Sequence, residues 1–478
     1  MTESAPGIEK RGVDTLPEAD RTGRPRDVLG ILVGSNMCLG VVVFGWLPAS
    51  FGLGFWAAVS SMVAGTLFGV LLVAPLSVIS LRTATNLSTS SGGHFGVRGR
   101  LVGSTIGLLL ALGYAALTLW TGGAAIVGPL HRIFGAPGGD PAYAATYAVV
   151  AALTVLVAIF GYHLLNRMSR WIAIGTAVVL VLGIFAYAEQ FQTAPVVQGY
   201  ALGSFWPTWF LSAVAAGLSG PMAFITLLGD YTRYVSPRKH SPRRVLASAG
   251  VGMVLGLLLP QLFGTFTAYA ARAADDYVGP LVAAGPSWFL VLLLLNAVFG
   301  TVGNAGILLY SMGLDLDAIV PPVTRVQATG LVAVLATALV FLGHFAWDAQ
   351  EAVTAFVLLL TAVGTPWAVI TLLGFARCRG RYDADALQVY NRRSRGGIYW
   401  YTGGWNLRAT AAWAAGSLTG LLSVDTSLYT GPLVRFTGGV DVSFLLAAAV
   451  SAGVFLVLDA RRVPERADHA AEPASTGA

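Results

Sequence analysis

From Val28 to Leu81 the chain runs without one Asp, Glu, Lys or Arg. A charge at the centre of a membrane helix costs about 2.5–3.5 kcal/mol on insertion. A crossing needs about 20 mostly apolar residues, so this window holds two spans. The same reading continued along the chain predicts twelve, near 28–51, 55–80, 101–129, 142–161, 168–188, 207–230, 245–270, 286–310, 326–343, 352–375, 406–422 and 441–458. The polar stretch Met1 to Asp27 precedes the first window, which is therefore read as a span and not as a cleaved signal segment.

Composition agrees with this pattern. Apolar residues make up 55% of the 478 and charged residues only 11%, where soluble domains carry about a quarter. Mean hydropathy is +0.71. The predicted class is an all-α membrane protein.

The net charge of +6 invites a nucleic-acid reading, but its distribution points to topology. With the N-terminus and every second loop placed in the cytoplasm, only Arg132, Arg272 and Arg435 of the 29 Lys and Arg fall outside, as the positive-inside rule requires. Asp140, Glu189, Asp275, Asp276, Asp348, Glu351, Asp425 and Asp441 then lie on the outer side. Both termini are expected inside the cell (inner or plasma) membrane, and the basic clusters Arg233 to Arg244 and Arg377 to Arg395 read as loops that fix orientation. The Ala-rich tail after Arg462 reads as disordered. Cys38 and Cys378 offer neither a disulfide nor a metal-binding spacing.

Two spans carry breaker-rich centres: Gly34-Ser-Asn-Met-Cys-Leu-Gly40 in span one and Gly217-Leu-Ser-Gly-Pro221 in span six. Unwound backbone at membrane depth is tolerated only where it lines a cavity or is buried in protein. Interruptions five spans apart are what an inverted five-plus-five repeat produces. Gly65-xxx-Gly69 and Gly99-xxx-Gly103-xxx-Gly107 read as close helix packing.

Several segments, in order along nearly the whole chain, resemble the nucleobase:cation symporter family, in its purine and cytosine permease branch. They are His94-Phe-Gly-Val-Arg-Gly99, Gly229-Asp-Tyr-Thr-Arg-Tyr234, Tyr310-Ser-Met-Gly-Leu314, Thr365-Pro-Trp367, Gly380-Arg-Tyr-Asp383, Gly396-Gly-Ile-Tyr-Trp400, Tyr429-Thr-Gly-Pro432 and Gly438-Gly-Val-Asp-Val-Ser443. The resemblance implies a fold of the leucine-transporter type. The tail 1–27 would precede a first repeat at 28–188 and an inverted second repeat at 204–377; two further helices at 405–460 and a tail at 461–478 would follow. It also implies alternating access around a midplane site. The chain departs from the family pattern at Gly92, where an arginine is usual, and at Leu373-Gly-Phe375, where an acid is common.

Carried over by position, the resemblance places the stacking ring of the substrate site on Tyr114, with Thr118 one turn later. Gly220 and Phe224 follow in span six, and Asn36 and Cys38 lie in the break of span one. In span eight the amide of some members falls near Leu308, and Asn304, one turn earlier on the same helical face, is read as the group that recognises the substrate's polar edge. Tyr114 is equally a packing or interfacial tyrosine, Pro221 a plain kink, and Asn304 an inter-helix hydrogen bond. Carbonyls near Gly34 and Met37, with the Thr301 hydroxyl, would face a coupling cation. Sodium is the expected ion because spans one, three and eight, as bounded above, hold no Asp, Glu or His between their ends; a proton is the alternative. Asp230 is either a gate or an interfacial cap, and His163 and His344 read as interfacial.

The function expected is import of a nucleobase or related small heterocycle (cytosine, a purine, hydantoin, allantoin or a pyrimidine vitamin precursor) by cation symport. Its partners would be that substrate and the lipid bilayer, with no nucleic acid and no bound cofactor or metal. A solute or ion channel would show polar stripes on several spans, which are not seen. A membrane enzyme would show a titratable cluster inside the spans, and a primary pump would show a phosphate-binding loop; neither pattern occurs. A carrier of another small-molecule class, such as amino acids, is the remaining alternative.

Overall fold

The computed structural model describes residues 13–160, 162–320, 323, 325–346, 349–426, 429–437 and 440–460. Ser427, Gly438, Gly439, Asp348 and the predicted tail after Arg462 lie outside these, as do the side chains of His163 and Glu351. The described chain is helical, with only isolated bridges such as Gly23 to Val235 in place of strands. Among the described residues eight helices are long and apolar enough to cross a membrane: Phe55–Thr83, Leu101–Phe134, Asp140–Ile159, Arg167–Gln190, Pro242–Ala270, Ser287–Ile319, Val326–Phe345 and Ala355–Arg377. They match predicted spans two to five and seven to ten.

Span one makes a ninth. It consists of Pro25–Asn36 and Leu39–Ser50, which meet at 73°, so the chain breaks inside the predicted Gly34–Gly40 segment. Met37 and Cys38 are the hinge, and Leu39 restarts the helix with Cys38 as an extended N-cap. Length and composition stop short of twelve for three reasons. Span six is divided into short pieces between Phe205 and Thr232, span eleven is the 17-residue helix Leu407–Ser423, and span twelve is the 18-residue Ser443–Ala460. Spans eleven and twelve pack on each other and on span ten.

Span six differs in detail from its expected break. A wide π turn covers Ala213–Leu218, one helical turn follows at Ser219–Met222, and residues 223–227 leave the helix before it resumes at Leu228–Thr232. The wide turn is held against span two by contacts with no room for side chains. A Cβ added at Gly65 would lie 1.9 Å from the Ala213 carbonyl oxygen, so Gly65 is a packing glycine, as its spacing predicts.

Span eight is longer than its apolar window. The helix continues from Tyr310 to Ile319 through Ser311-Met-Gly-Leu-Asp315, which corrects the expectation that this span holds no acid: Asp315 is 3% exposed. Its polar end is covered by a further helix, Leu87–Phe95, in which every residue is buried. The sequence Leu-Ser-Thr-Ser-Ser-Gly-Gly-His-Phe is too polar for an apolar window, but its hydroxyls find local partners. Ser90 Oγ lies 2.7 Å from Thr83 Oγ1, and the Asn86 side chain caps the helix by accepting from the Thr89 N–H.

The N-terminal segment closes the Arg-rich face as a strap. Val13 and Leu16 are buried, and the Leu16 N–H donates to the Ala84 carbonyl at the end of span two. Gln388 from the loop after span ten donates to the Val13 carbonyl. Arg21 is buried and donates to the carbonyls of Arg233 (3.0 Å), Leu81 (2.5 Å) and Val235 (2.5 Å).

Candidate functional site

The breaks in spans one and six face each other across span three. Between them lies a cavity of about 30 Å³ lined by Asn36, Phe44, Tyr114, Thr118, Gly220, Phe224, Gln261 and Asn304, with Gly40, Val41, Leu117, Ala223, Leu257 and Leu308 completing the wall. That volume accommodates about two waters and is well below the roughly 300–1,000 Å³ of small-molecule pockets. The walls must part to admit a heterocycle.

All the substrate-binding residues expected from sequence line this cavity except Cys38. Cys38 is buried against span eight, where a Cβ on Gly300 would lie 3.3 Å from its Cα. Tyr114 is 9% exposed, so its ring belongs to the cavity wall and not to a lipid interface. Its hydroxyl donates to the Ser219 carbonyl at 2.9 Å, in the helical turn that follows the wide turn of span six; the same carbonyl accepts from the Ala223 N–H. Phe44 lies beside it at 6.0 Å between ring centroids, and Phe356 packs edge-on from the other side at 5.8 Å.

Asn304 joins three spans. Its Oδ1 accepts from Thr118 Oγ1 at 2.8 Å, and its Nδ2 donates to the Ser35 carbonyl in the break of span one. The inter-helix role and the edge-reading role are therefore not exclusive. A carboxamide has two N–H groups and two carbonyl lone pairs, so Asn304 keeps one of each. Asn36 donates one N–H to the Leu32 carbonyl at 2.6 Å and keeps its oxygen. Gln261, which sequence reasoning missed, donates to the Ala216 carbonyl at 2.8 Å. It is a single amide beside Pro260 in an apolar span, and that isolation was the available signal. Aromatic faces and partly used amides in one enclosed space suit a flat molecule with an amide-like edge.

The residues expected at a cation site are divided between two places. Gly34 packs against span five, where an added Cβ would lie 2.0 Å from the Ser169 carbonyl oxygen. The Met37 carbonyl accepts from Thr176 Oγ1 of span five at 3.3 Å. Thr301 does not turn toward this break. Its hydroxyl points at span three, where a Cβ on Gly122 would lie 2.0 Å from it, and it is buried without a hydrogen-bond partner. One residue on a helix is 100° of rotation, and it is Gly300 that faces the Met37 carbonyl.

Asp230, read from sequence as a gate or an interfacial cap, is 2% exposed and so is not at a wetted surface. It lies on the Arg-rich side of the cavity with Asp315, whose Oδ1 accepts from Ser88 Oγ at 2.8 Å. Nearby, in the polar helix before span three, His94 Nε2 meets the Tyr382 hydroxyl at 2.7 Å. Burial pushes the His94 imidazole down to about 4. Among the described residues no group of three or more His, Cys, Asp and Glu is arranged to hold a metal ion.

A bundle of apolar helices with broken spans around a small, mostly apolar cavity that carries a few amides is the architecture of a membrane carrier. The comparisons with known proteins agree. Residues 15–447 match the family described as permease for cytosine/purines, uracil, thiamine, allantoin, and the chain belongs to that family. It is 24% identical over 97% of its length to a putative purine-cytosine permease of Bacillus subtilis, covering 98% of that protein. To the purine-cytosine permease fcyB of Emericella nidulans it is 26% identical, with 94% and 88% covered. The fold is that of Mhp1, a nucleobase-cation-symport-1 family transporter solved in a closed conformation with bromovinylhydantoin bound; the TM-score is 0.74 at 16% identity, covering 94% of this chain and 95% of that one. The protein is a multi-pass membrane transporter and not an enzyme.

Proposed function

We propose that this protein imports a nucleobase or a related small heterocycle by cation symport. The observation that carries the reading is the cavity itself. Tyr114, Phe44 and Phe224 offer ring faces, while Asn36, Gln261 and Asn304 offer polar groups, at the point where spans one and six are both interrupted. Permeation follows alternating access, the cavity opening to one side at a time. The finer architecture in this proposal is twelve spans with a five-plus-five inverted repeat, an orientation that puts the Arg-rich face in the cytoplasm, and a cell-membrane location. The charge distribution among the loops supports that orientation.

Sodium remains a candidate co-substrate, since the Met37 carbonyl at the break is an oxygen ligand of the kind sodium uses. Proton coupling is the second reading, favoured by Asp315, a buried acid in span eight. The test of substrate is a thermal-shift panel on purified protein with cytosine, adenine, hydantoin, allantoin and pyrimidine vitamin precursors. A ligand at a hundred times its Kd stabilises by about 2.7 kcal/mol. No shift with any of them at millimolar concentration would refute the substrate class. Uptake of the compound found, into proteoliposomes with a sodium gradient or a proton gradient alone, then identifies the ion.

A further inference from the structure

Asp315 lies where four elements meet. Ser88 of the helix Leu87–Phe95 donates to Oδ1. On the other side Oδ2 faces span three at Gly107. A Cβ at Gly107 would lie 2.2 Å from Asp315 Oδ2 and 2.6 Å from Thr226 Oγ1 of span six, so the two oxygens share the notch this glycine leaves. Thr226 is 2% exposed and its hydroxyl is buried without a hydrogen-bond partner. Seven residues of helix, about 10 Å, separate Gly107 from Tyr114. The acid therefore sits below the cavity, between it and the Arg-rich face.

The charges around it do not balance an ionised carboxylate. Span six presents Asp230, a like charge, and Tyr231. The helix Leu87–Phe95 presents the Ser88 hydroxyl, and span three a glycine, Gly107. Arg233 is engaged with the Tyr310 hydroxyl at 3.1 Å. Arg100 donates to the Ala318 carbonyl and to Thr89, and Asp317 lies two residues on in the same helix. A buried charge without a counter-charge is the costly arrangement; a neutral carboxyl needs only hydrogen bonds.

We propose that Asp315 is a proton-binding site of the closed state, held at Oδ1 by the Ser88 hydroxyl, with the unpartnered Thr226 hydroxyl beside Oδ2 as the acceptor its proton would engage. The carboxylate takes a proton from water while the site is wet. As the helices close, the resulting O–H on Oδ2 donates to Thr226 Oγ1, and Oδ1 keeps the bond from Ser88. Opening of the Arg-rich side brings water back, and the proton leaves to that side as the carboxylate reforms. Its place in coupling rests on the transport reading; protonation of the side chain does not.

The test is infrared difference spectroscopy of the purified full-length protein in lipid, read in the carboxylic-acid carbonyl region at neutral pH without substrate. A carboxylic-acid band that shifts in deuterium oxide is expected. It is lost in Asp315→Asn, shifts to higher frequency in Thr226→Val, and persists in Asp230→Asn. Absence of the band in the wild type, or its persistence in Asp315→Asn, overturns the proposal. Should Asp315→Asn fail to fold, Thr226→Val decides, since an unshifted band there is equally contrary. No substrate is needed, so a protein that binds none of the nucleobase panel but shows the band loses only the transport reading. One that binds cytosine without the band loses only the proton site.

Discussion

Replacing Asn304 by alanine removes a side chain that ties spans one, three and eight together at the cavity. Two hydrogen bonds go with it, from Thr118 Oγ1 and to the Ser35 carbonyl, leaving both groups buried. Each orphaned group costs about 1–3 kcal/mol. The adjoining cavity lets water reach Thr118 but not readily Ser35, which lies in the closed break, so the loss of stability should be about 2–4 kcal/mol. The comparison that isolates the interaction is a double-mutant cycle with Thr118→Val and Asn304→Leu, because replacing both partners by apolar groups is nearly neutral. A coupling of about 1–2 kcal/mol is expected for residues in direct contact. Thermal unfolding in detergent, with and without bound nucleobase, reads both quantities. Additive single changes, or an Asn304→Ala protein that is as stable and binds ligand as tightly as wild type, would refute this account of the site.

Three other outcomes follow from the geometry. His94 is held neutral to about pH 4 by burial, so the unfolded chain takes up its proton near 6.5 while the folded one does not. Stability present above 6.5 is lost as pH falls to 4, by about 3 kcal/mol, and melting curves of His94→Gln should show a smaller loss across that window. Gly65→Leu sets side-chain atoms where the Ala213 carbonyl lies 1.9 Å from the Cβ position; loss of folded protein on size-exclusion is expected, whereas Gly175→Ala, with nothing within 4 Å, should purify normally. Ser394→Cys, in a background lacking Cys38 and Cys378, should resist an impermeant thiol reagent in intact cells; labelling there would reverse the orientation.

The parts of this protein that sequence reveals are those with local causes. A run of uncharged residues fixes a span, and Gly34 to Gly40 breaks one because its residues neither favour a helix nor need to be wetted. The residues of the cavity were reached through the family resemblance: Tyr114 and Thr118 by counting from the motif His94 to Gly99, and Asn304 as the amide nearest the position the family uses in span eight. What escaped depends on contacts far away in the chain. Asp315 follows an apolar window and looks like the start of a loop. It stays helical because Leu87–Phe95, more than two hundred residues earlier, covers it and supplies Ser88. That covering helix was itself invisible as a buried element, because hydroxyl-rich segments are buried only when their partners are present. Thr301 failed by one residue of rotation, which no pattern resolves in a span apolar on every side. The π turn of span six began upstream of its glycines because packing on Gly65, not local flexibility, decides where the helix widens.

The strap under the Arg-rich face makes the N-terminal tail a spring catch. One guanidinium, Arg21, holds main-chain oxygens from the ends of spans two and six, and a single rigid fork cannot release them one by one as those ends separate. The door on the Arg-rich side is therefore expected to yield abruptly, not to creep. All three carbonyls belong to the shut form, so whatever Arg21 contributes weights that form alone. Loss of Arg21 would loosen the shut form and shift the resting protein toward opening on the Arg-rich side without touching the cavity.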